Sequence, residues 1–235
     1  EQHPTLDVVI RTVDLSVLKN IYQFYSSLKD FRLETWINNA GFGNYDSVAQ
    51  QDLGKIDTML RLNVEALTIL SSLFVRDYKD ALGTQLINLS SCGGYTIVPT
   101  AVTYCATKFY VSTFTEGLAW ELIETGAKMR AKVLAPAATQ TEFGKKANNV
   151  DAYDYDKAFG TYHTSQQMAE FLLKLYDSDR LSNLNCGPRC SLMRTALPII
   201  NVQANRKTKT AARRQKKKSR RAAVHSYAHF ANGGF

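Results

Sequence analysis

Apolar residues in the first 180 positions follow two periods, which predict alternating strands and helices. Runs of consecutive apolar and β-branched residues, typical of buried strands, occupy residues 6–13, 35–37, 84–89 and 131–134. Apolar residues spaced three or four apart, typical of amphipathic helices, occupy residues 17–29, 56–74 and 101–124. A further helix is predicted to end at Tyr176, with Ser165 as its N-cap because a serine hydroxyl accepts from a free backbone N–H of the first turn.

This alternation predicts an α/β fold, a doubly wound parallel sheet with helices on both faces. Ligands of such sheets bind beyond the carboxyl ends of the strands. Polar residues or turn segments stand at those ends here, at Asp14, at Asn38 and Asn39, at Ser91 and after Leu134. We therefore expect one candidate site at a common edge of the sheet.

Tyr104 and Lys108 carry the strongest chemical signal near the start of a predicted helix. Their i, i+4 spacing places both side chains on one face. A phenol has a pKa of about 10, and lowering it to about 7 with a nearby ammonium requires roughly 4 kcal/mol in a partly desolvated site. Taken alone, however, a Tyr-x-x-x-Lys pattern is far more often an ordinary surface pair.

The neighbouring motifs favour a functional Tyr104–Lys108 pair over an ordinary surface pair. They are Asn38-Asn39-Ala40-Gly41 after a strand, Asn63 within a helix, Leu89-Ser90-Ser91 after a strand, and Pro136–Phe143 after a later strand. Ser91 lies 13 residues before Tyr104. In identity, order and spacing, residues from about 6 to about 178 resemble the short-chain dehydrogenase/reductase family, although Ala137 replaces the glycine usual in its Pro-Gly segment.

The resemblance implies a Rossmann-like NAD(P)-dependent oxidoreductase that transfers a hydride between nicotinamide and a carbonyl or alcohol substrate. Tyr104 is then the acid/base. Lys108 lowers the pKa of Tyr104 and hydrogen-bonds the nicotinamide ribose. Ser91 holds the substrate oxygen, and Asn63 anchors a water that connects Lys108 to solvent.

The same resemblance implies a set of cofactor-binding residues. They are Asp14 at the adenine ring, Asn38, Ala40 and Gly41 along the cleft, Tyr104 and Lys108, and Thr139 and Thr141 near the nicotinamide carboxamide and the diphosphate. For Asn38 and Asn39, plain turn chemistry is an alternative role. Residues 144–163 are expected to be an irregular loop, either a substrate cover or a plain solvated connection.

The family's Thr-Gly-x-x-x-Gly-x-Gly turn does not occur in the sequence, and its first two strands are not recognised. That turn binds the pyrophosphate. The choice between NAD and NADP therefore cannot be read from the sequence, and the sheet is expected to be incomplete at its amino-terminal side. We expect the sequence to be a record truncated at its amino terminus, and a relative that keeps the fold without binding cofactor is the alternative function.

The formal net charge of +8 is unevenly distributed. Residues 181–235 contain 12 Lys or Arg and no Asp or Glu, whereas residues 1–180 contain 17 basic and 21 acidic side chains. We therefore divide the chain into a partial Rossmann-like domain, 1–180, and a basic tail, 181–235, whose composition is typical of disorder. The tail is a nucleic-acid, membrane-surface or localisation segment, an appendage without function, or the product of a shifted reading frame, which we favour.

Cysteine use and hydropathy complete the expectations. Four cysteines in 235 residues do not indicate a disulfide framework, and no run of 18 apolar residues indicates a membrane span, so a cytoplasmic protein is expected. Zinc binding by Cys186, Cys190, His225 and His229 is a weak alternative, and no metal is expected. Helices 56–74 and 101–124 resemble those through which the family forms dimers and tetramers, which implies a homo-oligomer.

Overall fold

The structure is a computed structural model, and it describes residues 7–180 and 182–185. Its helices are α1 (Leu18–Ser26), α2 (Leu53–Leu60), a π-helical segment (Arg61–Ala66), α3 (Leu67–Tyr78), a short 3₁₀ turn (Cys92–Gly94), α4 (Val102–Thr125), α5 (Phe143–Asn148), α6 (Tyr155–Phe159) and α7 (Ser165–Asp177). Its strands are β1 (Thr35–Asn38), β2 (Gln85–Leu89), β3 (Arg130–Pro136), β4 (Thr139–Gln140), β5 (His163–Thr164) and β6 (Ser182–Asn185).

Four strands form the central sheet in the order β1-β2-β3-β6, and every pair is parallel. Because the strands are parallel, their carboxyl ends lie at one edge, as the sequence predicted. A separate pair, β4 with β5, lies between β3 and α7 in the chain. Strand β6 corrects one expectation, since residues 182–185 were predicted to be irregular and instead pair with β3.

Helices cover both faces of the sheet. On one face, Trp36, Leu86 and Ala131 pack against α1, α3 and α4, where Phe74 and Ala119 are buried. On the other face, the strands pack against α7 through a smaller cluster, which consists of Ile87, Leu134, Met168 and Leu175. Alternation of side chains along β2 and β3 explains why neighbouring residues belong to opposite layers.

Lys132 is the exception among the buried side chains of β3. It is 1% exposed on the face that α7 covers. Its ammonium donates hydrogen bonds of 2.7–2.8 Å to the backbone oxygens of Leu175, Tyr176 and Ser178. Because the last carbonyls of a helix lack partners within the helix, this lysine satisfies the end of α7 from inside the sheet.

Three local predictions are wrong. Residues 7–14 form no strand, and Ile10 is 86% exposed, because none of the described strands pairs with this segment. The N-cap of α7 is Thr164 rather than Ser165, and its side chain forms a capping box with Gln167. The segment 144–163 is partly regular, since it contains most of α5 and all of α6.

The continuous helical stretch Leu53–Tyr78 is long and apolar enough to cross a membrane by length and composition alone. Within the fold, however, its residues Leu70 and Phe74 lie in the core cluster against the sheet. Amphipathic core helices of soluble proteins can have the same length and apolar composition. The packing of this stretch against the sheet therefore explains its apolar residues.

Two of the four cysteines lie among the described residues. Cys105 is a free, buried thiol, whereas Cys92 is disulfide-bonded. The proposed zinc ligands and nearly all of the basic tail lie outside the described residues.

Candidate active site

A cavity of about 590 Å³ lies at the carboxyl edge of the sheet. Tyr104, Lys108 and Ser91 line it together, as the resemblance to the family implied. Ser91 is the second residue after the end of β2, and the first turns of α4 supply the other two. The order of strand, short turn and helix in this segment thus brings residues 13 positions apart to one place.

Aromatic contacts hold Tyr104 in place. Its ring is 5.5 Å from the ring of Phe143 and 6.2 Å from that of Tyr45, measured between centroids. The side chain is 6% exposed. Burial raises the pKa of Tyr104 to about 12, and the nearby Ser91 side chain lowers it only in part.

Lys108 is buried one helical turn further along α4. Its ammonium donates a hydrogen bond of 2.9 Å to the backbone oxygen of Leu89 and lies 6.0 Å from the ring centroid of Tyr104. Burial lowers the pKa of Lys108 to about 8. The pKa values of Tyr104 and Lys108 are thus displaced in opposite directions, because desolvation disfavours the charged form of each group.

Asn63 lies in the π-helical segment and is 1% exposed. Its amide oxygen accepts from the backbone N–H of Phe42 at 3.1 Å, and its amide nitrogen donates to the Phe42 carbonyl at 2.9 Å and to the Thr107 hydroxyl at 3.2 Å. The side chain therefore ties the loop after β1 to α4. π-Helical turns are frequent at functional sites because their extra residue redirects side chains.

Sequence reasoning missed the contact that joins the end of β2 to α4. The Ser90 hydroxyl donates to the Lys108 carbonyl at 2.9 Å and shares a hydrogen bond of 2.7 Å with the Ser112 hydroxyl. Gly94 sits against the same three groups, and a Cβ there would lie 2.3–2.7 Å from their oxygens. The signal in the sequence was Ser90 beside Ser91, with Ser112 one turn beyond Lys108.

Seven of the eight predicted cofactor residues line one of two cavities. Gly41, Thr139 and Thr141 line the cavity beside Tyr104 and Lys108. Asn38 and Ala40 instead line a second cavity, of about 340 Å³, next to β1.

Asp14 lies outside both linings and is exposed, with its carboxylate accepting from the backbone N–H and the hydroxyl of Ser16. Those hydrogen bonds lower the pKa of Asp14.

The Asn38 side chain belongs to a hydrogen-bond network beneath the sheet edge. Its amide nitrogen donates to Asn88 at 2.8 Å and to Ser71 at 3.0 Å, and its amide oxygen accepts from the Trp36 indole at 2.8 Å. Asn88 in turn donates to Thr115 on α4. Strands β1 and β2 are thereby fixed to the helices that position the cavity.

Comparison with known proteins places the chain in a family. The sequence model described as short chain dehydrogenase matches residues 2–152, more than half of the chain, and the protein belongs to this family. Dehydrogenase/reductase SDR family member 11 of Homo sapiens is 32% identical over 158 residues, which are 63% of this chain and 58% of the human protein. Its counterpart in Gallus gallus is 31% identical over 160 residues, 64% of this chain and 60% of that protein. The chain thus spans less than two thirds of the length of these relatives.

Solved structures confirm the Rossmann-like fold class. A short-chain dehydrogenase from Sphingobium yanoikuyae in complex with NADPH superposes with a TM-score of 0.65 at 24% identity, over 90% of this chain and 75% of that one. An alcohol dehydrogenase from Thermococcus sibiricus complexed with 5-hydroxy-NADP gives 0.65 at 20% identity, over 78% and 76%. At such identities the likeness concerns the fold.

Proposed function

We propose that the protein is an NAD(P)-dependent oxidoreductase that interconverts a carbonyl compound and its alcohol. The observation that carries the proposal is the grouping of Tyr104, Lys108 and Ser91 in the lining of one cavity. Family membership and the NADPH named for a similar structure support it. Bound nicotinamide supplies or accepts the hydride.

Tyr104 moves the proton in this proposal. In reduction, the carbonyl carbon accepts a hydride and its oxygen takes the proton of the Tyr104 hydroxyl; in oxidation both transfers reverse. Ser91 donates to the substrate oxygen as negative charge develops there. Lys108 stabilises the phenolate that remains. This role requires a lower pKa for Tyr104 than its burial gives it.

Asn63 acts on this site through the main chain. It holds the carbonyl and N–H of Phe42, directly after Gly41. A Cβ at Gly41 would lie 2.8 Å from the Asn63 amide oxygen and 3.7 Å from the Lys108 ammonium. Glycine thus leaves room beside the lysine, in a cleft where Thr139 and Thr141 also present hydroxyls. These residues fit the nicotinamide end of a dinucleotide, while Asn38, Ala40 and Asp14 would have to act from outside this cavity.

A homo-dimer or homo-tetramer is part of the proposal. Large apolar side chains on α2 and α4 are between 39% and 75% exposed, namely Leu53, Leu60, Val102, Tyr110, Trp120 and Ile123. Exposed apolar side chains grouped on helices favour burial against a second subunit. Sedimentation velocity measures the state, and a monomer at micromolar concentration would contradict this part of the proposal.

The test combines cofactor binding with one conservative variant. NADH and NADPH are titrated while the intrinsic fluorescence is followed, and turnover is then measured with the cofactor that binds. Tyr104→Phe is expected to abolish turnover and to leave cofactor affinity nearly unchanged, because it removes the proton donor and little else. Tyr110→Phe, on the same helix but outside the cavity lining, is the control.

Two results would contradict the proposal. One is failure of both cofactors to bind the folded protein. The other is unchanged turnover in Tyr104→Phe.

A further inference from the structure

Five aromatic side chains besides Tyr104 line the large cavity. They are Tyr45, Phe143, Tyr153, Tyr155 and Phe159. Phe143 begins α5, and the last three come from the segment between α5 and the end of α6. The cavity of about 590 Å³ also has to hold the nicotinamide end of the cofactor, beside Gly41 and Thr139, so the substrate occupies the part that the aromatic side chains line.

This aromatic wall is fixed rather than loosely packed. The Tyr155 hydroxyl accepts from the backbone N–H of Gly144 at 3.0 Å and donates to the Thr141 carbonyl at 3.1 Å. Tyr153 packs edge-on against Tyr155 at 5.0 Å between centroids, and Phe159 lies 5.9 Å from the same ring. Flat apolar groups gain most from such preformed aromatic surfaces.

The lining offers almost no charge. Within the described part of the chain, its only formally charged side chain is Lys108, whose ammonium already donates to the Leu89 carbonyl. Lys145 on α5 is not part of the lining and pairs with Glu142 at 3.1 Å. A substrate carboxylate would therefore lose its hydration without a dedicated cationic partner, which is costly.

Two phenol groups remain free to bind uncharged polar atoms. Among the described residues, neither the Tyr45 hydroxyl nor the Tyr153 hydroxyl has a hydrogen-bond partner, and both side chains line the cavity. Burial raises the pKa of Tyr45, so its hydroxyl stays protonated and able to donate. An ester, ether or hydroxyl oxygen on the substrate fits these donors.

We infer that the substrate is an uncharged ketone, or the matching secondary alcohol, that carries an aromatic or similarly flat apolar group. The inference rests on the proposed function, because it assumes that the reacting oxygen binds at Ser91 and Tyr104. The flat group then lies against the wall to which Phe143, Tyr153 and Phe159 contribute. Small carbonyl compounds leave this wall uncovered, and anionic ones lack a free cationic partner among the described lining residues.

Four α-keto compounds separate size from charge. They are ethyl benzoylformate, benzoylformate, ethyl pyruvate and pyruvate, each reduced by the full chain with the cofactor that binds. We expect kcat/KM for ethyl benzoylformate to exceed that for ethyl pyruvate about tenfold or more, from burial of the phenyl group. We expect it to exceed that for benzoylformate by at least about tenfold, from the desolvated carboxylate.

A matched pair of variants locates the effect. Phe159 is 45% exposed in the cavity wall and Phe31 is 44% exposed outside the lining. Phe159→Ala is expected to reduce the preference for ethyl benzoylformate over ethyl pyruvate by about fivefold, the scale of one lost aromatic contact. Phe31→Ala is expected to leave that preference unchanged.

The outcomes distinguish the inference from the proposed function. Preference for either anion, or equal use of ethyl pyruvate and ethyl benzoylformate, overturns the inference alone. Reduction of none of the four overturns the proposed function for these carbonyls. In that case ligand-observed NMR of the same compounds decides the inference, since binding of ethyl benzoylformate but not benzoylformate supports it and the reverse refutes it.

Discussion

A single methyl group at Gly94 tests whether the end of β2 and the start of α4 are as tightly joined as the distances indicate. A Cβ there would lie 2.3 Å from the Ser90 hydroxyl, 2.5 Å from the Lys108 carbonyl and 2.7 Å from the Ser112 hydroxyl. The hydroxyls have some freedom to turn away, but the carbonyl belongs to the backbone of α4. Gly94→Ala therefore has to move the turn relative to the helix.

The size of the loss follows from two contributions. Overpacking a close-packed region costs about 1–3 kcal/mol. Moving the turn also breaks the Ser90 hydrogen bonds to Lys108 and Ser112, at about 1 kcal/mol each. We expect Gly94→Ala to lower the free energy of unfolding by about 3–5 kcal/mol, a large part of the stability of a typical domain.

Gly117, within α4, provides a control. A Cβ there meets no atom within 4 Å. Because glycine is unfavourable in the middle of a helix, Gly117→Ala is expected to raise the free energy of unfolding by about 0.5–1 kcal/mol. Urea unfolding followed by circular dichroism measures both variants, and similar slopes in urea make their midpoints comparable.

Two results bear directly on this reasoning. If Gly94→Ala stays within about 0.5 kcal/mol of the parent protein, the junction is not close-packed and the reasoning is refuted. The double variant Ser90→Ala, Gly94→Ala should be less destabilised than the sum of the single variants by about 1 kcal/mol, since the closest contact is gone. Strict additivity would contradict the assigned contact.

Three further predictions concern stability. Burial holds the pKa of Lys108 at about 8, below its ordinary 10.5. As the pH rises, the folded state therefore loses this proton at a lower pH than the unfolded state does. The free energy of unfolding should rise between pH 8 and 10.5 relative to that of Lys108→Met, and a difference between the two proteins that stays constant over this range would contradict the prediction. Lys132→Met should lower the free energy of unfolding in urea by about 1–3 kcal/mol and speed hydrogen exchange at the end of α7, because three carbonyls lose the hydrogen bond from the lysine ammonium. Thr164→Ala should cost about 1 kcal/mol by the same assay through loss of the capping box, and no loss would contradict that cap.

Much of the fold and the grouping of the site followed from sequence alone. The periods of apolar residues placed β1, β2, β3 and α4 within about two residues of their observed bounds, because buried faces impose those periods. Ser91 was expected at the carboxyl edge of the sheet because the ends of parallel strands share that edge, and the resemblance to the family implied that Tyr104 lies beside it. Both residues line one cavity in the structure, and their catalytic roles stay predictions.

What escaped prediction depends on tertiary contacts. Residues 7–14 have a strand's composition but no neighbouring strand, whereas residues 182–185 lack such a composition and pair with β3. Asn38 was assigned to a cleft, but its side chain joins the network with Asn88. Lys132 is a charged residue in an apolar strand, and the sequence does not predict that the end of α7 lies over it.

The π-helical segment has a consequence for how this fold tolerates change in length. A π turn amounts to one residue inserted into an α-helix, so losing one residue there restores regular α-helix while the flanking α2 and α3 keep their buried faces. The same deletion would displace Asn63 from the backbone of Phe42. A homologue with this deletion would keep the sheet and the core but would lose the hydrogen bonds that fix the loop beside Lys108. A change of length at this point would therefore alter the site without altering the fold.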